Sequence, residues 1–389
     1  MIKSSVILTR GREHSLKKKH HWIFSGAIAR IEGEASEGDL VWIKDHKGKT
    51  LGYGFYGTKS IAVRILSFDP KIDPTDQVLE YLKSARKKRK KLGLIPSEVT
   101  DSFRFFHSEG DMIPGLTIDK YSTIIVIQIH HDGIVQFLPV IQEYLTQKFP
   151  ETDSIILKTG RSSENKDNFK YLLGDKSTIT IKENDIRFEI DVLNGQKTGF
   201  FLDQRDNREI LGNYSEDKTV LNLFCYTGAF SAYALKNSAK KVTSVDSSEN
   251  AIEAAKKNMQ LSSFPESRYE FIHADCEKFL TENEENFDIV ICDPPALVKS
   301  KRDLHKGLKH YLDLNKLALK HLKKDGLLFT FSCSQFVRDK DLHDTVLKAA
   351  KSLDLELTVV ETLKQAGCHT INQKHPESIY LKGYIFKLV

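Results

Sequence analysis

No run of about 18 apolar residues occurs in the 389-residue chain, so no membrane-spanning helix is predicted. The opening residues, MIKSSVILTRGREHSLKKKHH, lack the apolar centre of a secretory signal. Cysteine is scarce. The five positions, 225, 276, 292, 333 and 368, include no CxxC pair, which argues against a zinc ribbon. An odd count with no export signal predicts reduced thiols and a cytoplasmic protein. His130 and His131 are adjacent on a strand and would point to opposite faces, so no metal site is predicted.

What is present is a 40% hydrophobic content, enough for real cores, and a length that predicts two or three domains. The net charge of +5 is a mild bias, and its placement says more. Lys17, Lys18, Lys19, His20 and His21 form one block, and Arg86, Lys87, Lys88, Arg89, Lys90 and Lys91 another. Either alone reads as a solvated face; two in one chain favour phosphate contact.

Residues 1–72 read as a small β-rich domain. Short strand-like runs (Val6 to Leu8, Gly38 to Ile43, Leu51 to Tyr56, Ile61 to Leu66) alternate with Gly, Asp and Lys turns. Gly-Asp before a strand and a Gly-rich strand after it resemble a PUA domain, a small barrel that binds structured RNA. Residues 73–190 read as a linking helix, ended by Gly93 and Pro96 with its basic face outward, and then a central α+β module. Residues 191–389 alternate strand and helix, which predicts an α/β, Rossmann-like domain with a parallel, helix-covered sheet. Seven strands are expected, at 219–224, 241–245, 269–273, 287–292, 326–332, 356–362 and 379–388, the last two partly antiparallel. Seven fit a class I methyltransferase core better than a six-stranded dinucleotide-binding fold.

Four strand ends carry the candidate chemistry, since ligands of open α/β sheets lie at the carboxyl ends of the strands. The first ends in Cys225, Tyr226, Thr227 and Gly228; the second in Asp246 and Ser247; the third in Asp275 and Cys276; the fourth in Asp293-Pro294-Pro295. Gly228 lets the backbone approach a ligand. Asp246, 18 residues later, can accept from both ribose hydroxyls, and Asp275 can receive an adenine amino group. Cys225 and Cys276 are placed to line a donor pocket, and Cys292 is assigned to the core. The turn is poor in glycine: Phe224 and Tyr226 stand where a methyltransferase loop would have two more. Upstream, Phe200, Gln204 and Arg208 are placed to face the methionine end of a methyl donor, Arg208 as partner of its carboxylate. Cys333 follows the fifth strand, level with Asp293. A thiolate there could attack C6 of a pyrimidine, with Asp293 holding the base.

GQKTGFFLDQRDNR, NLFCYTGAFS, DPPALVKS, FSCS and PESIYLKG, with RGREHSLKKKHHWIFSGAI and EGDMIPGLTIDKY, resemble the RlmI family of 23S ribosomal RNA cytosine-5 methyltransferases over the whole chain. The resemblance implies an N-terminal PUA-like β-barrel, a central α+β module and a methyltransferase core. It further implies S-adenosyl-L-methionine as cofactor, large-subunit ribosomal RNA as partner, Cys333 as nucleophile and Asp293 as the base-holding acid. The second thiol that many RNA cytosine-5 methyltransferases carry after the proline of this motif is absent here, where Ala296 follows Pro295. Other readings of the same residues stay open. They are a guanine methyltransferase of large-subunit RNA, an inactive RNA-binding protein and a small-molecule methyltransferase. Oligomeric state is open too, a homodimer included.

Overall fold

The computed structural model describes residues 2–159 and 169–389. Contacts gather the chain into two units: 1–181 with 190–202 and 367–378, and 182–189 with 203–366 and 379–389.

The first unit opens with a six-stranded sheet. From edge to edge its strands are Trp22–Phe24, Ile61–Ser67, Thr50–Tyr56, Leu40–Lys44, Ser4–Leu8 and Ile28–Glu32. Alternation along these strands turns Val6, Leu8, Ile23, Val41, Ile43, Val63 and Ile65 into one core. The glycines of the third expected run, Leu51 to Tyr56, have a steric cause. A Cβ at Gly54 would stand 2.3 Å from the Arg64 carbonyl oxygen of the neighbouring strand. Trp22–Phe24 and Ile28–Glu32 were not foreseen, because the first has only three residues and the second is exposed along four of its five and carries no apolar run.

A second sheet in this unit runs Phe169–Leu173, Ser154–Thr159, Ile124–Ile129, Leu116–Tyr121 and Ser102–His107. The helix Pro74–Lys91 starts at Asp73, whose carboxylate accepts from the N–H groups of Thr75 and Asp76, with Pro74 in the first turn. This helix packs on both sheets, which is why barrel and central module fall in one unit rather than apart.

The basic run on that helix does not simply face outward. Arg89 is fully buried. Its guanidinium donates to both Asp111 oxygens (2.9 and 2.7 Å) and to the carbonyls of Arg104 and Cys368, and Lys88 also reaches Asp111 at 2.9 Å. Burial pushes the Asp111 carboxyl up, but the Arg89 and Lys88 charges overcome it and hold it well below the usual carboxylate range. Helical spacing cannot distinguish an inward arginine whose partner lies 22 residues away. In the N-terminal block, Lys17, Lys18 and Lys19 are exposed, whereas His21 is buried and its pKa falls to about 4, chiefly through desolvation.

The second unit is built on a seven-stranded sheet: β1 (Thr219–Leu223), β2 (Lys241–Asp246), β3 (Tyr269–His273), β4 (Phe287–Cys292), β5 (Leu322–Ser332), β6 (Leu357–Lys364) and β7 (Lys382–Leu388). The spatial order is β3-β2-β1-β4-β5-β7-β6. β1 to β5 are parallel; β7 runs antiparallel to both β5 and β6. The order reverses beside β1, so a crevice opens beyond the ends of β1 and β4. Two groups of helices pack among themselves: Arg205–Asn213, Ala229–Lys236 and Glu249–Leu261, and then Cys276–Glu282, Leu304–Lys320 and Asp339–Lys351. The α/β class I core expected from strand–helix alternation is the one observed.

Asp111→Asn would leave Arg89 as a buried charge with a weakened partner, a loss of about 3 kcal/mol. Urea unfolding at pH 7 should show it. Asp111's folded pKa lies below its ordinary value of 3.8. Its stabilising contribution is therefore full above that value and is lost as pH falls towards the folded one. The gap between wild type and variant should accordingly narrow in acid.

Candidate active site

The turn after β1 has an unusual backbone. Phe224 (φ 55°), Tyr226 (φ 47°) and Gly228 (φ 76°) are all left-handed. The two positions where glycine was missing have the conformation glycine would supply, held by larger residues at roughly 1–2 kcal/mol each. Hydrogen bonds offset this strain. Tyr226 N–H donates to Asp246 Oδ2 (2.9 Å), Cys225 N–H to the Val245 carbonyl (3.0 Å) and Phe224 N–H to Cys276 Sγ (3.3 Å). Asn258 Nδ2 donates to the Thr227 carbonyl (3.0 Å). Gly228 is needed for a second reason: a Cβ there would meet that of Ala255, on the helix Glu249–Leu261, at 3.0 Å.

Asp246, expected to meet a ribose, is a structural group of the turn. One oxygen holds the turn and the other accepts from Ser248 N–H (2.9 Å). Ser247 beside it is exposed. Asp275 is exposed and uses Oδ1 to cap the helix Cys276–Glu282 through Lys278 N–H (2.9 Å). Cys225 and Cys276 are buried, and desolvation raises both thiols, Cys276 to about 12. They brace the turn from within. Cys292 is wholly buried in the core, as assigned.

Three expectations upstream change. Arg208 is buried at 1% exposure, and both Nε and Nη2 donate to Glu183 Oε1 (2.9 and 2.6 Å), which Tyr233 Oη also reaches (3.1 Å). A guanidinium committed in this way is a structural ion pair rather than a partner for a donor's carboxylate. Gln204 is buried, and its Nε2 donates to Asp293 Oδ2 (2.9 Å) while its Oε1 accepts from Asn207 Nδ2 (2.5 Å). Asn207 in turn donates to the Lys364 carbonyl (3.1 Å). Gln204 therefore orients the acid of the fourth strand end. Phe200 belongs to the first unit, where it is buried and its N–H donates to Tyr121 Oη (3.3 Å). The sequence signal for these roles was slight, because Glu183 and Asp293 lie 25 and 89 residues from their partners.

At the fifth strand end, Ser332 and Ser334 are buried and Cys333 is partly exposed. Ser334 Oγ accepts from Val298 N–H (3.1 Å) and bonds Tyr311 Oη (3.2 Å), which ties the loop after Asp293 to this strand. Cys333 is not level with Asp293. Cys292 pairs with Thr330, so Asp293 comes level with Phe331 and the thiol stands two residues further out, about 7 Å along the strand. Two side chains of PESIYLKG that carried no assigned role join this region. Tyr380 Oη donates to Asp203 Oδ2 (2.6 Å), and buried Lys382 donates to the carbonyls of Ser334 (2.8 Å) and Tyr380 (2.9 Å).

Among the described residues, one group of side chains has metal-ligand chemistry, His20, His375 and Glu377 in the first unit. There Trp22 N–H donates to His20 Nδ1 (3.2 Å), which leaves Nε2 to carry the proton towards Glu377 (3.2 Å). The group reads as a hydrogen-bonded cluster.

Residues 6–68 match the family described as a PUA-like domain, and residues 155–355 match that of S-adenosylmethionine-dependent methyltransferases. Ribosomal RNA large subunit methyltransferase I of Aeromonas hydrophila is 37% identical over 99% of this chain and 100% of its own length. Its counterpart in Pseudoalteromonas translucida is 38% identical over 99% of each. The chain belongs to the ribosomal RNA large subunit methyltransferase I family. Its fold agrees with a SAM-dependent methyltransferase from Streptococcus mutans (TM-score 0.84, 23% identity, all of both chains). A methyltransferase complexed with SAH has the same TM-score at 22% identity, again over all of both chains.

S-adenosyl-L-methionine is the cofactor of this family's fold, and the turn fits it. Thr227 Oγ1 is buried with no partner among the described residues. Asp246 stands half-buried beside the left-handed turn that follows β1.

If Arg208 is structural, Arg208→Met should lower stability by about 3–5 kcal/mol in urea, by stranding Glu183. Calorimetric affinity of the folded variant for S-adenosylmethionine should stay within a few-fold of wild type. A hundredfold loss of affinity with stability intact would return Arg208 to the donor.

Proposed function

We propose that this enzyme methylates C5 of a cytosine in 23S ribosomal RNA through a covalent Cys333 adduct. The observation that carries this reading is the distribution of thiols. Four of the five cysteines are buried, and the one with access to solvent lies at the end of β5, next to the strand that carries Asp293. A guanine methyltransferase would have no use for an accessible thiol there.

S-adenosyl-L-methionine supplies the electrophilic methyl group. Asp246, Asp275 and the turn Cys225 to Gly228, with its unpartnered Thr227 hydroxyl, are the groups proposed to hold it. Asp293, fixed by Gln204, accepts from the polar edge of the base. The Cys333 thiolate forms a bond to C6, and the electron pair of the ring double bond moves to C5, which takes the methyl. Loss of the C5 proton restores the double bond and expels the thiolate.

The relatives' names speak for a ribosomal substrate, and the barrel offers a surface for it. A concavity of about 700 Å³ there is lined by Arg10, Lys17, Lys19 and Lys47, with Glu13 and Asp45 among them. No helix among the described residues is long and apolar enough to cross a membrane. A cytoplasmic setting suits both the reduced thiols and the substrate.

Cys333→Ala should abolish the methylation. The measurement is mass-spectrometric mapping of 23S RNA from cells lacking the protein, complemented with wild type or variant. Methylation retained by the variant would sink the cytosine-5 mechanism and favour guanine. Replacing Lys17 and Lys19 by Glu should weaken RNA binding uniformly across sequences and reduce the slope of log affinity against log salt by roughly 1–2.

A further inference from the structure

Lys382 opens β7, directly across from Ser332 at the end of β5, and is only 6% exposed. An ammonium has three donors. Two go to the carbonyls of Ser334, the residue that follows Cys333, and of Tyr380, at 2.8 and 2.9 Å. Neither bond is to a carboxylate. A buried cation normally takes an anionic partner, because leaving a charge uncompensated away from water is costly. Here the salt bridges among the described residues include none to Lys382. The Asp339 and Asp341 charges also favour the ammonium, each less than Cys333 does. Desolvation brings its ammonium down to about 8, opposed first by the Cys333 charge, so at pH 7 the side chain is still mostly cationic. Two neutral donors, an amide for instance, would serve the two carbonyls equally well. A lysine is explained by the anion that forms beside it.

We infer that Lys382 is the positioning cation of the active-site thiol: its ammonium, clamped by the Ser334 and Tyr380 carbonyls, stabilises Cys333 as thiolate before attack and after release. The inference rests on the reading of Cys333 as nucleophile. The thiol proton goes to solvent and the ammonium keeps its own three protons. The sulfur lone pair forms the bond to C6, and on elimination that pair returns to sulfur beside the same cation. Lys382 acts through Cys333 and touches neither base nor donor in this account.

The test needs neither RNA nor donor. Alkylation of the full chain by iodoacetamide is followed from pH 6 to 10, with mass spectrometry of the peptide that contains Cys333. The other four cysteines are buried, which keeps the signal clean. The wild-type midpoint should lie below the ordinary thiol value of about 8.5. Lys382→Gln keeps two donors and loses the charge; its midpoint should rise by about one unit, a roughly tenfold slower reaction at pH 7. Lys382→Arg should retain the low midpoint. A glutamine variant with the wild-type profile overturns the inference. If that variant fails to fold by circular dichroism, a wild-type midpoint at or above 8.5 overturns it, as does an arginine variant that folds with a raised midpoint. Cys333→Ala with full methylation would instead remove the nucleophile reading, while the alkylation profile would still report the Lys382–Cys333 pair.

Discussion

The hydrogen bond from Tyr226 N–H to Asp246 is the constraint on which the second unit's active edge depends. Three of five consecutive residues after β1 lie in the left-handed region, two of them aromatic. Without support such a turn would relax, and the helix Ala229–Lys236 would leave the sheet at a different angle. The carboxylate at the end of β2 locks the turn at one point and Cys276 at another. The same groups that were expected to meet a ligand thus first shape the backbone the ligand would meet. Strain concentrated here, with buried polar pairs such as Asn222–Ser231–Ser244 behind it, is how a functional site usually departs from the regular sheet around it.

The two units share one electrostatic habit. Each places a long cation where water does not reach: Arg89 against Asp111 in the first and Arg208 against Glu183 in the second. Both arginines lie on helices, and both were expected to face something external, a phosphate or a carboxylate. Planar bidentate or forked geometry suits such pairs, and removing one partner is far costlier than either pair is stabilising.

Much of the architecture was legible. Strand–helix alternation from 219 onwards, with acids at the strand ends, was enough to give the class I core and its crevice, because parallel strands buried on both faces form continuous apolar runs. The edge strands Trp22–Phe24 and Ile28–Glu32 were not, since one has three residues and the other is almost wholly exposed and shows no apolar alternation. Within the site, Asp246, Asp275, Asp293 and Cys333 could be located by position after a strand. The work of Gln204, Arg208 and Tyr380 could not. A hydrogen bond to a residue 89 or 177 positions away leaves no local periodicity, and only the folded sheet brings the partners together.

β7 is made after β6 yet lies between it and β5. As the chain leaves the ribosome, the strand that ends in Phe329, Thr330, Phe331 and Ser332 must therefore wait with one edge unpaired while nearly 50 more residues are made. An apolar, unpaired edge is a template for the wrong strand, from this chain or another. Closure of the sheet and completion of the region around Cys333 are then one event. The loop that carries Cys333 is not held in place before its framework is sealed, and the period of greatest risk for misassembly ends at the same moment.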